Sequence, residues 1–241
     1  LFTALNSPER LLLDYASHPY QRGGKFAYHF ARGKIRHDPV FFSILKKGLI
    51  PENAKILDLG CGQGLLASLL DSAATLHKKD QWPIDWPVPV QSFQFRGIEL
   101  MARDVARANA ALSTLKNTAW VDQANICNAD FGISDVVVIL DVLHYISYEK
   151  QQQVLQRVHA ALHTNGILLL RVGDAAAGWP FRLSNWVDNV VTTVRGHRLS
   201  KLYCRSLKDW IATLEQLGFV VESIPMSQGT PFANVLLIAH V

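Results

Sequence analysis

The chain has 241 residues, 49% of them hydrophobic, with 24 basic and 20 acidic side chains and a formal charge of +4. That apolar content excludes a disordered segment and fills a large core, which an α/β fold of this length can hold as one unit. So small a basic excess does not call for nucleic acid, although it suits an anionic ligand. No stretch reaches the roughly 18 apolar residues of a membrane span; the longest, Val136 to Leu143, is interrupted by Asp141. Leu1 to Leu13 lacks the basic-then-apolar order of a secretion signal. Three scattered cysteines, Cys61, Cys127 and Cys204, read as free thiols in a reducing cytosol, so the cytoplasm is the expected compartment.

Ser7-Pro8-Glu9 combines an N-cap, a first-turn proline and an acidic first turn, and predicts a helix through Leu13. Asp38-Pro39 repeats the signal for Val40 to Lys47, which Gly48 closes. Lys55 to Leu59 predicts the first strand, and Leu65 to Leu70 a helix. The prolines and tryptophans of Ser72 to Gln91 predict an irregular surface insertion. Phe93 to Ile98 predicts the next strand, Ala102 to Leu115 a helix, and the neighbourhood of Ile126 a short third strand. Asp135 to Leu140 (DVVVIL) has the β-branched, continuously apolar character of a central parallel strand.

Ser147 caps a helix with Val154, Leu155, Val158, Ala161 and Leu162 inside; Asn165-Gly166 ends it and Ile167 to Val172 follows as a strand. Gly173 to Arg205 reads as irregular or partly helical, with Trp179, Phe181, Trp186 and Tyr203. Ser206 to Asp209 fits a capping box before a helix that Gly218 stops. Phe219 to Ile224 and Val235 to Val241 are the last strands, joined by a hairpin-length connection that predicts an antiparallel final strand. This alternation points to an α/β fold, a doubly wound and mostly parallel sheet.

Asp58-Leu59-Gly60-Cys61-Gly62-Gln63-Gly64 lies between a predicted strand and a predicted helix. Glycines allow a sharp turn and close approach of backbone to ligand. The spacing departs from the dinucleotide fingerprint G-x-G-x-x-G, whose third glycine would fall at Leu65. Asp58 would repel a dianionic pyrophosphate but suit an ammonium group, such as that of S-adenosylmethionine (SAM).

DLGCGQG resembles the signature loop of class I SAM-dependent methyltransferases, and the resemblance runs from about Pro51 to Val241. It implies a seven-stranded Rossmann-like sheet with a reversed last strand, in a single domain over 1–241. That domain would carry a helical N-terminal lid (1–50), the insertion 72–91 and a substrate cap (173–205). SAM would be the cofactor and S-adenosylhomocysteine (SAH) the product. Asp58, Gly60, Cys61, Gly62 and Gly64 would hold the methionine end. Glu99, with Leu100 beside it, would take the ribose diol, since a carboxylate can accept two hydrogen bonds. Asp130 would read the adenine amino group and Phe131 would pack on the ring, with Asn128 or Asp122 as alternative readers. Arg32, or next Arg22, would pair with the cofactor carboxylate from the lid. The stretch YHFARGKIRHDPVF is similar in texture to methyltransferases found beside aryl-polyene pigment genes.

Ligands of open α/β sheets bind beyond the carboxyl ends of strands, which places His144 and Tyr145 near the reacting methyl and makes Asp141 a cofactor-binding candidate. His144 is the candidate general base and Tyr145 its companion, against a packed His–Tyr pair as the plainer reading. The stretch Trp179 to Tyr203, with Arg182 or Arg171 for an anionic group, could wall an acceptor pocket. The Asn/Asp-Pro-Pro-aromatic and Pro-Cys motifs of DNA methyltransferases do not occur, and no residue cluster suggests a metal. The acceptor expected is a small molecule, with an aromatic or polyketide-like acid as the candidate. RNA or protein is the alternative substrate, from the basic residues Arg195, Arg198, Lys201, Arg205 and Lys208, although no separate nucleic-acid module is visible. A non-catalytic SAM- or SAH-binding protein is the remaining alternative.

Overall fold

The computed structural model describes residues 5–174, 202–226 and 234–241. Seven strands form one sheet in the order β3-β2-β1-β4-β5-β7-β6, with six parallel and β7 reversed. The residues fall into two compact units that divide between Asp130 and Phe131.

The first unit holds α1 (Ser7–Ser17), α2 (Lys25–His37), α3 (Pro39–Lys46), β1 (Ala54–Leu59), α4 (Leu65–Lys78), β2 (Phe93–Glu99), α5 (Ala102–Ala111) and β3 (Ala119–Gln123). Asn6, rather than Ser7, caps α1, in a reciprocal capping box with Glu9. The helix α2 falls within the residues given to the helical lid, but no local signal marks it. Its buried stripe is Ala27, Ala31 and Ile35, too small a set of side chains to show as an apolar face in the sequence. A 3₁₀ turn, His18–Gly23, joins α1 to α2. Ser72 to Lys78 proves helical, because α4 continues with Ser72, Ala73, Ala74 and Leu76 buried; the first proline stands only at Pro83. The third strand also lies earlier than expected: Ile126 is a buried loop residue beyond the end of β3.

In the insertion, Trp82 donates its indole N–H to the Pro87 carbonyl (2.9 Å), and the Trp82 and Trp86 rings meet edge to face. Parallel pairing sets Asp58 opposite Gly97 and Leu59 opposite Ile98.

The second unit holds β4 (Ser134–Leu140), α6 (Tyr148–Ala161), β5 (Leu162–Gly173), α7 (Leu207–Gln216), β6 (Val220–Pro225) and β7 (Asn234–His240). Val136 to Ile139 and Leu168 to Leu170 are fully buried, as central strands require. β5 begins at Leu162, five residues before the expected start. A register shift after Ser134 and a left-handed Asn165 (φ 66°) mark the irregularity that carries the chain from helix into strand. The pairing of β5 with β7 and of β6 with β7 is antiparallel, as the short final connection predicts.

Candidate active site

The glycine loop leaves β1 through three left-handed residues, Gly60, Gly62 and Gly64 (φ 74°, 57° and 67°), a conformation that disfavours other residue types. They serve different ends. A Cβ on Gly62 would meet nothing within 4 Å, so the loop presents open space there. A Cβ on Gly64 would stand 3.1 Å from Leu112, so that glycine lets the loop pack on the chain. Gly60 and Cys61 both donate to the Ile98 carbonyl, and Gly64 donates to the Cys61 carbonyl. Cys61 lies over the bare face of β2: a Cβ on Gly97 would come within 2.5 Å of its Sγ. Burial, with Asp58 and Glu99 nearby, pushes the Cys61 thiol well above its usual range and keeps it protonated.

Asp58 is 5% exposed. Burial, reinforced by Glu99, raises its carboxyl to about 8, and among the described residues no cation pairs with it. Glu99, at the end of β2, accepts from the Gly62 amide (3.0 Å) and from Met101 N (2.8 Å), tying the loop to the start of α5. Leu100 is half exposed beside it. The chemistry of this cradle fits SAM: a buried carboxylate for an ammonium, an open glycine for close approach, and a second carboxylate for a diol. The amino end of α4 has no side-chain cap.

The other cofactor candidates have partners of their own. Arg32 pairs with Asp14 (2.5 Å) and reaches Ser17, and Arg22 reaches the Ala111 carbonyl. Asp122 pairs with Arg96 (2.8 Å), whose Nη1 also donates to the carbonyl of the exposed Asp130. Phe131 is buried beneath the Arg157 guanidinium, 4.1 Å from its ring centre.

Tyr20 and Gln63 had no expected role. Tyr20 is fully buried and donates its hydroxyl to the Gln63 carbonyl (2.9 Å). Gln63 donates its side-chain amide to Asp104 (3.0 Å). No spacing signal joins residues so far apart in the chain.

In the second unit Asp141 follows β4 with φ 58°, left-handed for a non-glycine residue. Its carboxylate takes both arms of the Arg171 guanidinium, Nε at 2.9 Å and Nη2 closer still. Arg171 is 2% exposed, so its charge answers Asp141 and is not an open anchor for an anionic acceptor. His144 and Tyr145 form a 3₁₀ turn, Leu143–Tyr145, with ring centres 4.1 Å apart. Burial lowers the His144 pKa, partly opposed by Asp141, and favours the neutral imidazole.

The turn is fixed by the fully buried Gln151, whose amide nitrogen serves the carbonyls of Leu143, Ile146 and Tyr203. Tyr203 N donates to the His144 carbonyl (2.9 Å), and the Tyr148 and Tyr203 rings meet edge to face. Arg205 donates to Gln151 (2.8 Å) and lies over Tyr148 and Trp210. Trp179, Phe181, Arg182, Trp186, Arg195, Arg198 and Lys201 lie outside the described residues. Among the described residues no helix is long and apolar enough to cross a membrane.

A family model described as a methyltransferase domain matches residues 28–224. The chain is 30% identical over 124 residues to a carboxy-S-adenosyl-L-methionine synthase of Campylobacter jejuni subsp. doylei, a match covering 51% of this chain and 45% of that protein. The chain thus spans about half the length of the curated relatives it matches. An O-methyltransferase family protein from Burkholderia thailandensis shares the fold with a TM-score of 0.61 at 16% identity, over 91% of this chain and 61% of that one. Magnesium protoporphyrin IX methyltransferase from Synechocystis PCC 6803, crystallised with SAH, aligns with a TM-score of 0.58 at 18% identity, over 96% and 99%.

Proposed function

The chain belongs to the class I SAM-dependent methyltransferases, and on that premise we propose that it transfers the methyl group of SAM to a small-molecule acceptor. The observation that carries the reading is the buried Asp58 carboxylate, without a cation among the described residues, beside an open glycine loop and Glu99. Asp58 and the loop Gly60–Gly64, including Cys61, receive the methionine end; Glu99 and Leu100 receive the ribose. Asp130 and Phe131 remain the adenine-side candidates. Arg32 would meet a cofactor carboxylate only by releasing Asp14, whereas the uncapped amino end of α4 offers amides without that exchange.

When bound, SAM supplies an electrophilic methyl and leaves as the neutral sulfide. The protein's part is alignment, and the removal of a proton when the acceptor is a hydroxyl or amine. His144 is the group for that proton, its neutral form favoured by burial. Arg171 holds Asp141, and Gln151 holds the turn that carries His144 and Tyr145. The tyrosines Tyr145, Tyr148 and Tyr203 around that turn favour an aromatic or polyketide-like acid as acceptor.

Titration calorimetry tests the cofactor: SAM and SAH bind and NAD does not, whereas binding of NAD alone would refute the reading. Release of labelled methyl into a metabolite extract separates an enzyme from a SAM-binding protein. Once an acceptor is found, kcat should rise with pH to a plateau, with the midpoint of the rise below pH 6.5, because burial lowers the His144 pKa. His144→Ala should cost roughly 10²–10⁴-fold in kcat. A smaller loss and a flat profile would leave His144 as packing.

A further inference from the structure

Resting on the cofactor reading above, we propose that Tyr20 is a positioning residue of the SAM site, and that it makes the turn between α1 and α2 a working part of the glycine loop. The Gln63–Gly64 peptide is held at both ends: its N–H by the Cys61 carbonyl (3.0 Å) and its C=O by the Tyr20 hydroxyl (2.9 Å). A peptide plane fixed at both ends cannot rotate. This one joins the loop to Gly64, the N-cap position of α4, so its setting fixes where the loop's open face and the uncapped helix end point.

The same residue is anchored a third time, through its side chain to Asp104, which also receives Arg107 (3.2 Å). Arg107 in turn lies 4.4 Å over the exposed Phe26 ring of α2. The Tyr20 turn is seated against α5 by the absence of a side chain at Gly23, where an added Cβ would stand 3.0 Å from Ala27 and 3.4 Å from the Arg107 carbonyl. Gln63 also keeps its Oε1 buried without a hydrogen-bond partner, a cost a purely space-filling residue would not incur. The hydroxyl itself lies within electrostatic reach of Cys61 and Asp58. Burial raises its pKa well above the usual tyrosine value, so it stays a neutral donor.

The test compares SAH binding with stability. Tyr20→Phe keeps the ring and loses one hydrogen bond; SAH affinity should fall about 3–10-fold, and hydrogen exchange at the Gly64 amide should quicken in the unliganded protein. Ser68→Ala is the control. It removes another buried tie between the N-terminal helices and α4, Ser68 Oγ to the Ala16 carbonyl (2.8 Å), and should lower the melting temperature while leaving SAH affinity within about twofold. If Tyr20→Phe does not fold, Gly23→Ala, which shifts the turn but keeps every side chain of the tie, should show the same loss of affinity. Unchanged affinity and exchange in the Tyr20 variant would overturn the proposal while leaving the cofactor reading intact. So would an equal loss in Ser68→Ala. A wild-type protein that does not bind SAH would overturn both.

Discussion

Asp58 and Asp141 both stand at the carboxyl ends of central strands, yet the chain treats their charges in opposite ways. Asp141 is met by a buried guanidinium that closes on both carboxylate oxygens. Asp58 is buried near a second carboxylate, and burial, reinforced by Glu99, pushes its carboxyl to about 8. A protein that wanted only stability would treat Asp58 as it treats Asp141. The difference supports the proposed roles: Asp141 is neutralised within the chain, whereas Asp58 has no cation beside it among the described residues, as suits an acid proposed to meet a ligand's ammonium.

The comparison breaks most readily at Asp58. A carboxyl raised from 3.8 to about 8 contributes stability that is intact below pH 3.8 and is lost as pH rises through 8. At about 1.4 kcal/mol per unit, that loss is on the order of 5 kcal/mol at pH 8 and above. Asp58→Asn should therefore raise the melting temperature of the unliganded protein at pH 8 by about 10 °C, flatten its decline with pH and weaken SAH binding. A lower melting temperature at pH 8 would mean that Asp58 is already neutralised.

At Asp141 the sign reverses. Asp141→Ala takes the paired carboxylate from a guanidinium that is 2% exposed, and chemical denaturation should show a loss of about 3–5 kcal/mol, much of it recovered in the double variant with Arg171→Met. A loss under about 1 kcal/mol would remove the contrast. Glu99→Ala sharpens it further. Glu99 adds to the burial that raises the Asp58 pKa, so its removal should bring that carboxyl down, a gain near neutral pH that offsets part of the loss of its bonds to the Gly62 and Met101 amides. With the two charge-assisted bonds it would offer a diol gone, at roughly 1.5–3 kcal/mol each, SAH affinity should drop at least about 100-fold by calorimetry.

The two aspartates also differ in how far the sequence discloses them. Asp58 is legible because its context is local: a strand, an acid and three glycines within seven residues require a turn that only a ligand or a tight crossing explains. The reversed last strand is legible for the same reason, from a connection too short for a crossover. The partner of Asp141 is not legible. Arg171 lies thirty residues away, and it is the register setting Leu140 opposite Arg171 that brings the two together. Read alone, Arg171 looks like an anchor for an acidic substrate. Gln151 is hidden likewise, since a glutamine on a polar helix face gives no sign that it will hold three carbonyls. Where the reading slips on elements, the signal is weak rather than contrary. AWVDQ is a short strand and Ile126 beyond it a stronger apolar residue. The prolines of the insertion distract from the good helix formers that precede them.

Gly97 and Cys61 share a single volume, since a methyl on one would overlap the sulfur of the other at 2.5 Å. Neither position can drift freely over generations. A larger residue at 97 is admissible only after position 61 has shrunk, and a larger residue at 61 only while 97 stays bare. The two sites are inherited as a pair, so in descendants of this chain a change at the tip of the loop should arrive in company with a change on β2 or not at all. A library randomised at both positions should recover folded members along that diagonal of reciprocal sizes and few elsewhere.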